Sequence, residues 1–288
     1  MKIETFFHED TSTLTYIVYD AQSKDAIVID PVLDYDPASS KYGTTSLDKP
    51  VNFLTSHGLK LHYIMETHAH ADHLSGSQFI KETFPESKIA IGANIKLVQK
   101  TFKHIFNFKD FNENGIQFDL LLADNSIIQA GTLSIKTLYT PGHTPACASY
   151  LINDKAVFTG DVLFMHDYGT GRCDFPGGSA ESMYDSVTNR LYTLPDEIEV
   201  YVGHDYKPGG RDVRYQSTIA QQKKLNPQLN AKTSKSEFIA MRNGRDSGLK
   251  SPRLLLQSLQ VNIDAGKLPG AEDNGSRYLK IPLRKDLE

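Results

Sequence analysis

Polar and apolar residues alternate along the first part of the chain in the manner of β-strands. Residues 13–19 alternate in this way, and after a polar turn at 22–24 the run 26–31 is largely apolar. Because the side chains of a strand point alternately to its two faces, this pattern predicts a β-hairpin. Residues 61–67 form a further buried-strand candidate, whereas the stretch 34–50, rich in Asp, Pro, Ser, Gly and Thr, predicts a loop.

Helical periodicities lie between the later strand candidates. We predict strands at 134–139, 148–152, 156–159 and 199–202. We predict helices at 51–57, at 93–106, at 180–193, at 212–225, across Leu74, Phe79, Ile80 and Phe84, and from Ser234, which with Glu237 forms a capping-box pattern. Meandering strands with interspersed helices favour two sheets flanked by helices over an alternating parallel sheet. We expect a single domain over residues 1–288, with a helical C-terminal extension at about 212–288.

Composition and charge exclude several classes of protein. Apolar residues make up 39% of the chain and charged residues 23%, as in an ordinary globular protein, and the net charge of −4 provides no basic field for nucleic acid or an acidic membrane. The first thirty residues lack a signal-peptide pattern, and no apolar run is long enough to cross a bilayer. The two cysteines, Cys147 and Cys173, are too few for a disulfide framework. We therefore expect a cytoplasmic protein without a nucleic-acid or membrane partner.

The strongest chemical signal directly follows the strand candidate at 61–67. His68 and His70 lie two residues apart, so on an extended strand end both point the same way and can reach one ion. Asp72 and His73 follow where the chain turns toward a helix, and they can face a neighbouring position. Imidazole and carboxylate groups are ligands for zinc, iron or manganese, so this cluster predicts a metal site.

Three later positions support this metal site. His143, Asp161 and His204 each follow the end of a predicted strand, and a glycine directly precedes each of them. Glycine lets the backbone bend close to a neighbouring segment. Any one of these residues alone would be unremarkable at a turn, but the set in this order predicts convergence on a common point.

With these residues, the chain resembles the metallo-β-lactamase superfamily over nearly its whole length. The resemblance implies an α/β fold, an αββα sandwich of two mixed β-sheets flanked by helices, with the metals at one edge of the paired sheets. In members with two metals, positions matching His68, His70 and His143 hold the first ion. Those matching Asp72, His73 and His204 hold the second, and the position of Asp161 bridges the two.

A glycine-rich turn narrows the resemblance to one branch of the superfamily. The run Gly169-Thr-Gly-Arg-Cys-Asp-Phe175 is similar to a segment of persulfide dioxygenases, and so is His204-Asp205-Tyr206. The segments Ala240-Met241-Arg242 and Gln260-Val261-Asn262-Ile263 look like the bacterial persulfide dioxygenases that are often labelled β-lactamase-like hydrolases.

The resemblance to persulfide dioxygenases implies a metal-dependent oxidoreductase. It would oxidise glutathione persulfide with O₂ to sulfite and glutathione at one Fe(II) per chain, held by His68, His143 and Asp161. The other four candidate ligands, His70, Asp72, His73 and His204, would then support the site without binding the iron. Glutathione carries two carboxylates, so Arg172 and Tyr206 are candidate substrate contacts. Relatives are commonly dimers, so a homodimer is an open expectation.

Other interpretations of the same residues stay open. A glyoxalase-II-like thioester hydrolase would use all seven ligands to hold two Zn(II) ions bridged by Asp161. A non-catalytic metal or sulfide sensor would use the fold as a binding module. Arg172 could instead form a structural salt bridge with Asp174, and Cys173 is expected to be a small buried filler.

Overall fold

Two six-stranded β-sheets face each other in the computed structural model, which describes residues 1–283. The first sheet has the order β1-β2-β3-β6-β8-β9 and the second β10-β11-β12-β13-β14-β15. A small third sheet has the order β5-β4-β7. Both large sheets are mixed, since β3, β6, β8 and β9 pair in parallel, as do β13 and β14, and the other pairs are antiparallel. The strands are β1 (Lys2–His8), β2 (Thr13–Tyr19), β3 (Asp25–Ile29), β4 (Val32–Asp36), β5 (Lys41–Gly43), β6 (Lys60–Glu66), β7 (Leu74–Ser75), β8 (Lys88–Gly92), β9 (Leu120–Leu122), β10 (Ile127–Ala130), β11 (Leu133–Tyr139), β12 (Ala148–Ile152), β13 (Ala156–Phe158), β14 (Glu199–Tyr201) and β15 (Gln216–Thr218).

Helices cover the outer faces of the two sheets. Apolar residues of α1, α2, α3 and α7 pack on the first sheet, and those of α4 and α6 join the core of the second. This arrangement is the predicted αββα sandwich. The helices are α1 (Thr45–Ser56), α2 (Ser77–Thr83), α3 (Ile95–Phe106), α4 (Ala180–Ser186), α5 (Ile219–Leu225), α6 (Lys235–Asp246) and α7 (Leu255–Asn262), with a π-helical turn at Val187–Leu191 after α4 and a 3₁₀ turn at Pro208–Gly210.

The strands of the first sheet supply side chains to two separate cores. In β3, Ile27 and Ile29 point to the core between the sheets, while Ala26 and Val28 point to the core under the helices. Because both faces are covered, this strand is apolar from Ala26 to Ile29, which is why its sequence reads as a continuous apolar run. Burial on both faces leaves the strand ends as the places where polar side chains can gather.

Most of the predicted elements are confirmed within one or two residues. The hairpin of β2 and β3 is antiparallel with Tyr16 opposite Ile29. The capping box at Ser234 is formed, because Ser234 Oγ accepts from the backbone N–H of Glu237 and the Glu237 carboxylate accepts from the Ser234 N–H. α1 ends next to Gly58, as predicted for the helix at 51–57.

Leu74, assigned to a helix from its spacing, lies in strand β7, and that helix begins at Ser77. Two longer segment predictions were also wrong. The stretch 34–50 is not a loop, because β4 and β5 form a hairpin there and α1 begins at Thr45. The helix predicted at 212–225 begins only at Ile219, after the short edge strand β15. A second capping box, Thr218 with Gln221, sets that start and was the signal missed.

The C-terminal extension is therefore only partly helical. Its first element is β15, the edge strand of the second sheet, and it continues through α5, α6 and α7 but has no helix between 263 and 283. The part of the prediction that covers 284–288 lies outside the described residues, and the single domain remains a prediction. Within residues 1–283, no helix combines the length and the apolar character needed to cross a membrane.

A carboxyl group after α7 gives a pH-dependent prediction. Burial raises the pKa of Asp264 to about 6, although Lys267 opposes the shift. The folded state therefore binds this proton more tightly than the unfolded state does, and the carboxylate destabilises the fold as pH rises from about 4 to about 6. We expect Asp264→Asn to be more stable than the wild type by about 1 kcal/mol at pH 7, after allowance for partial solvent exposure.

The measurement is the urea unfolding midpoint of both proteins at intervals between pH 4 and pH 7. The advantage of Asp264→Asn should shrink as pH falls through this range and vanish near its lower end. An advantage of constant size across the range would contradict the assignment of a raised pKa to Asp264.

Candidate metal centre

The predicted ligands gather where strands of the two large sheets end. His68 follows β6 of the first sheet, whereas His143, Asp161 and His204 follow β11, β13 and β14 of the second. The backbone N–H of Ala148 donates to the carbonyl of Thr67 at 2.9 Å, which joins the two sheets at this edge. The edge of the sandwich therefore brings together ligands that lie far apart in sequence.

The ligand atoms fall into two adjoining groups. One atom each from His68, His143 and Asp161 lie within 4.8 Å of one another, and so do atoms of His70, Asp72 and His73. Asp161 and His204 connect the groups. Asp161 Oδ2 lies 3.5 Å from His143 Nε2 and Oδ1 lies 3.2 Å from His204 Nε2, which is 3.3 Å from Asp72 Oδ2. All seven predicted ligands thus surround one region.

The inward atoms of these side chains have no hydrogen-bond partner among residues 1–283. An unpaired buried polar atom costs about 1–3 kcal/mol, so several at one point indicate a site suited to a cation. A cation would satisfy them together, and nitrogen and carboxylate oxygen donors suit a divalent transition metal. The residues therefore fit the metal that the sequence predicts. The unpaired atoms are His68 Nε2, His70 Nδ1, His73 Nε2, Asp72 Oδ2, Asp161 Oδ1 and His204 Nε2.

Backbone carbonyls set the tautomers of three of the histidines. The Nδ1 of His143 lies 2.7 Å from the Arg172 carbonyl, that of His73 lies 3.1 Å from Leu74 O, and that of His204 lies 3.3 Å from Ser12 O. A carbonyl only accepts, so each Nδ1 carries the proton and donates it. The Nε2 lone pair of each ring is then free to bind a metal.

Asp30, which the sequence analysis missed, orders the remaining two histidines. The Thr67 hydroxyl donates to Asp30 Oδ2 at 2.8 Å, so its oxygen can accept from His68 Nδ1 at 3.0 Å. Asp30 Oδ1 lies 3.1 Å from His70 Nε2, which leaves His70 Nδ1 facing the site. The missed signal was an Asp-Pro pair at the end of the apolar strand β3, the same strand-end position that identified Asp161.

Burial and neighbouring charges adjust the histidines in opposite directions. Burial and the charge on His70 hold the pKa of His68 well below its usual range and lower the pKa of His73 to about 3. Burial alone would lower the pKa of His70 as well, but the Asp30 carboxylate outweighs it and raises that pKa. His68 and His73 are therefore neutral at physiological pH, which is the form in which imidazole binds metals.

Gly160, directly before Asp161, lets the backbone at the end of β13 lie close to Thr67 at the end of β6. Gly160 has a φ of +50°, and a Cβ on it would lie 2.4 Å from the Thr67 hydroxyl oxygen. A side chain there would push apart the two strand ends that carry His68 and Asp161. The predicted reason for glycine at this position is confirmed.

A cavity of about 360 Å³ opens beside the two groups, within the range typical of small-molecule sites. Asp72, His143 and Asp161 line it on the metal side. Apolar and aromatic groups supply another part of the wall. Four arginines also line the cavity, namely Arg172, Arg242, Arg245 and Arg253.

The two predicted substrate contacts both line this cavity. The Arg172 guanidinium donates twice to the Asp174 carboxylate at 2.5 Å and once to the Lys250 carbonyl at 2.8 Å. The structure therefore contains the salt bridge between Arg172 and Asp174 that was the alternative prediction. Tyr206 is 43% exposed and its ring stacks on that of His204, with centroids 5.6 Å apart. Cys173 is buried near the cavity, and burial raises the pKa of its thiol, so the thiol stays protonated. Both observations agree with the expectation that Cys173 is a small buried side chain that fills space.

Comparisons with known proteins identify the family of the chain. The sequence model of the metallo-beta-lactamase superfamily matches residues 9–204. The chain is 46% identical to glyoxylase B2 of Dictyostelium discoideum, over 98% of this chain and 97% of that protein. It is 30% identical to human persulfide dioxygenase ETHE1, over 92% of this chain and 88% of that protein. The crystal structure of ETHE1 from Myxococcus xanthus superposes with a TM-score of 0.74 and 30% identity, covering 93% of this chain and 100% of that one. The chain therefore belongs to the metallo-β-lactamase superfamily.

Proposed function

We propose that this protein is a persulfide dioxygenase that oxidises glutathione persulfide to sulfite and glutathione. The observation that carries the proposal is the group of His68, His143 and Asp161 beside an arginine-lined cavity. Two histidines and one carboxylate are the ligand set of non-heme Fe(II) oxygenases, in which further coordination positions stay open. The similarity to persulfide dioxygenases over most of the chain supports the same reaction.

The reaction balances without an added reductant. A persulfide, O₂ and water give the thiol, sulfite and two protons, and the sulfane sulfur loses the four electrons that O₂ gains. When bound, Fe(II) would supply the redox chemistry that couples these two changes. The protein would hold the ion through His68 Nε2, His143 Nε2 and an Asp161 oxygen, while Asp30 and the carbonyl of Arg172 keep both imidazoles in the required tautomer.

The charges of the cavity suit a substrate with carboxylates. Arg245 and Arg253 are exposed at its wall, and neither forms an ion pair with another part of residues 1–283. Guanidinium groups bind carboxylates through paired hydrogen bonds, and glutathione offers two carboxylates. We therefore add Arg245 and Arg253 to Arg172 and Tyr206 as proposed contacts of the glutathione part.

A glyoxalase-II-like thioester hydrolase is the second candidate. Asp161 lies beside His143 of the first group and beside His204, which in turn lies beside Asp72 of the second group, as a carboxylate shared by two metals would. The name of the Dictyostelium relative points in the same direction. When bound, two Zn(II) ions would supply the Lewis acidity and the nucleophile for thioester hydrolysis. The ligands would be the same seven residues.

Oxygen consumption separates the two candidates. We expect Fe(II)-loaded protein supplied with glutathione persulfide to consume about one O₂ per persulfide and to release sulfite, with about one iron per chain. His68→Ala and metal-free protein are the controls and should show no uptake. Absence of uptake above the metal-free control, together with hydrolysis of a hydroxyacyl-glutathione thioester by protein holding two zinc ions, would establish the second candidate instead. Uptake that His68→Ala leaves unaltered would argue against both.

A further inference from the structure

Residues beyond 204, where the superfamily match ends, contact the glycine-rich turn and the loop from His68 to His73. We propose that this C-terminal segment holds the ligand-bearing loops in place through two buried polar contacts, Arg242 with Asp246 on α6 and Asn262 at the end of α7. Arg242 and Asn262 lie in the stretches that resemble one branch of the superfamily, and none of the three side chains is among the predicted metal ligands. They are therefore positioning residues, which act on the metal through the backbone of other residues.

Arg242 and Asp246 bind the glycine-rich turn. Arg242 is 1% exposed, and its Nη1 donates to the carbonyls of Thr170 and Gly171, both at 3.1 Å. Its Nη2 donates to Asp246 Oδ1 at 2.7 Å, and Asp246 Oδ2 accepts from the backbone N–H of Cys173 at 2.7 Å. The pair thus binds carbonyl and N–H groups on both sides of Arg172.

This turn contacts two of the three ligands that follow strands of the second sheet, His143 and Asp161. The Arg172 carbonyl accepts from His143 Nδ1 at 2.7 Å, and the Gly171 N–H donates to the Asp161 carbonyl at 3.1 Å. A shift of the turn would move the acceptor that sets the tautomer of His143 and would release the backbone of Asp161. Removing two charges from water is costly, and apolar residues of similar volume would avoid that cost. The hydrogen bonds that Arg242 and Asp246 form with the turn indicate that the buried pair holds the turn in position, despite this desolvation cost.

Asn262 binds the other ligand-bearing loop. Its Nδ2 donates to the carbonyls of His70 and His73 at 2.7 and 2.8 Å, and its Oδ1 accepts from the Ser75 N–H at 2.8 Å. All three hydrogen bonds are buried, and the residue is 4% exposed. This one amide side chain closes the loop that carries the four ligands from His68 to His73.

The test measures metal binding, so its outcome is separate from whether the protein oxidises persulfides. We expect Arg242→Met and Asn262→Leu each to weaken Fe(II) binding on the order of tenfold, the effect usual for residues that orient metal ligands. Dissociation constants come from competition with a chelator. The visible spectrum of the cobalt-substituted protein provides a second readout, because it reports ligand geometry independently of affinity.

The control variant lowers stability without touching either contact. Leu54 is fully buried in α1 and packs in the core under the first sheet, so Leu54→Ala should lower the melting temperature while leaving the Fe(II) affinity and the cobalt spectrum unchanged. If Arg242→Met and Asn262→Leu, at a matched loss of melting temperature, also keep wild-type affinity and spectrum, the proposal is wrong.

Conservative variants keep the test decisive if either apolar variant does not fold. Arg242→Lys retains the charge but not the fork that reaches two carbonyls and a carboxylate at once, so we expect an affinity between those of the wild type and Arg242→Met. Asn262→Asp retains an acceptor for Ser75 but loses the donor to His70 and His73, and it should weaken binding as Asn262→Leu does. Wild-type metal affinity in both conservative variants would overturn the proposal.

Discussion

Asp161→Asn is expected to abolish stable metal binding, with an affinity loss beyond about 100-fold, the upper range for residues that only orient ligands. The Asp161 carboxylate lies between the two groups, with one oxygen 3.5 Å from His143 Nε2 and the other 3.2 Å from His204 Nε2. The amide keeps the size of the side chain but loses its charge, and it replaces one oxygen donor by an N–H group that cannot bind a cation. Because both proposed metal arrangements use Asp161, the loss is expected whether iron or zinc is supplied.

The measurement is the metal content per chain after loading and gel filtration. Asp119→Asn is the matched control, because Asp119 lies away from the site, where its carboxylate accepts from Lys81 Nζ and from the Ile89 N–H. That variant should retain the metal content of the wild type. If Asp161→Asn held iron as tightly as the wild type does, Asp161 would not be a ligand and the proposed centre would be incorrect.

Gly171→Ala is expected to destabilise the fold and weaken metal binding together. A Cβ on Gly171 would lie 2.0 Å from the backbone carbonyl oxygen of Asp161, a distance that no rotation of a side chain can relieve. The turn and the strand end must therefore separate, at a cost on the order of 1–3 kcal/mol or more. These two segments carry Asp161 and the carbonyl that accepts from His143. The ligand geometry should be lost along with the stability.

Alanine at position 244 should instead increase the stability of the protein. Gly244 lies inside α6, and a Cβ there would meet no heavy atom within 4 Å. Alanine costs less conformational entropy in a helix, so we expect Gly244→Ala to stabilise the protein by about 0.4–1 kcal/mol. Urea unfolding midpoints and metal content of the two variants provide the comparison. A Gly171→Ala protein as stable as the wild type would show that the turn does not press against the Asp161 strand.

The architecture was predictable wherever one periodicity dominated a segment. The strands β2, β3 and β6 have alternating or continuous apolar side chains because they lie in a sheet that is buried on one or both faces. Segments with weak local preferences were mispredicted. β4 contains two aspartates, and β15 is only three residues long, so pairing with a neighbouring strand rather than local propensity makes them strands.

The ligands themselves were recognisable because metal chemistry needs particular side chains. Imidazoles and carboxylates at strand ends, three of them directly after a glycine, stand out in sequence whatever their distance along the chain. The groups that orient them do not. Asp30, Thr67, Arg242 and Asn262 are ordinary polar residues, and only their contacts with the ligands, with the backbone of the ligands or with the glycine-rich turn distinguish them.

The amino-acid sequence by itself determined the fold class and the set of atoms that can bind a metal, because burial periodicity and donor chemistry are properties of single segments. The tertiary structure decided which atoms face one another. It placed Asp161 between two groups of histidines, engaged Arg172 with Asp174, and brought α6 and α7 against the ligand-bearing loops. Those contacts join residues up to 192 positions apart, and their existence depends on how two sheets and their helices pack. Local sequence patterns carry no information about such distances.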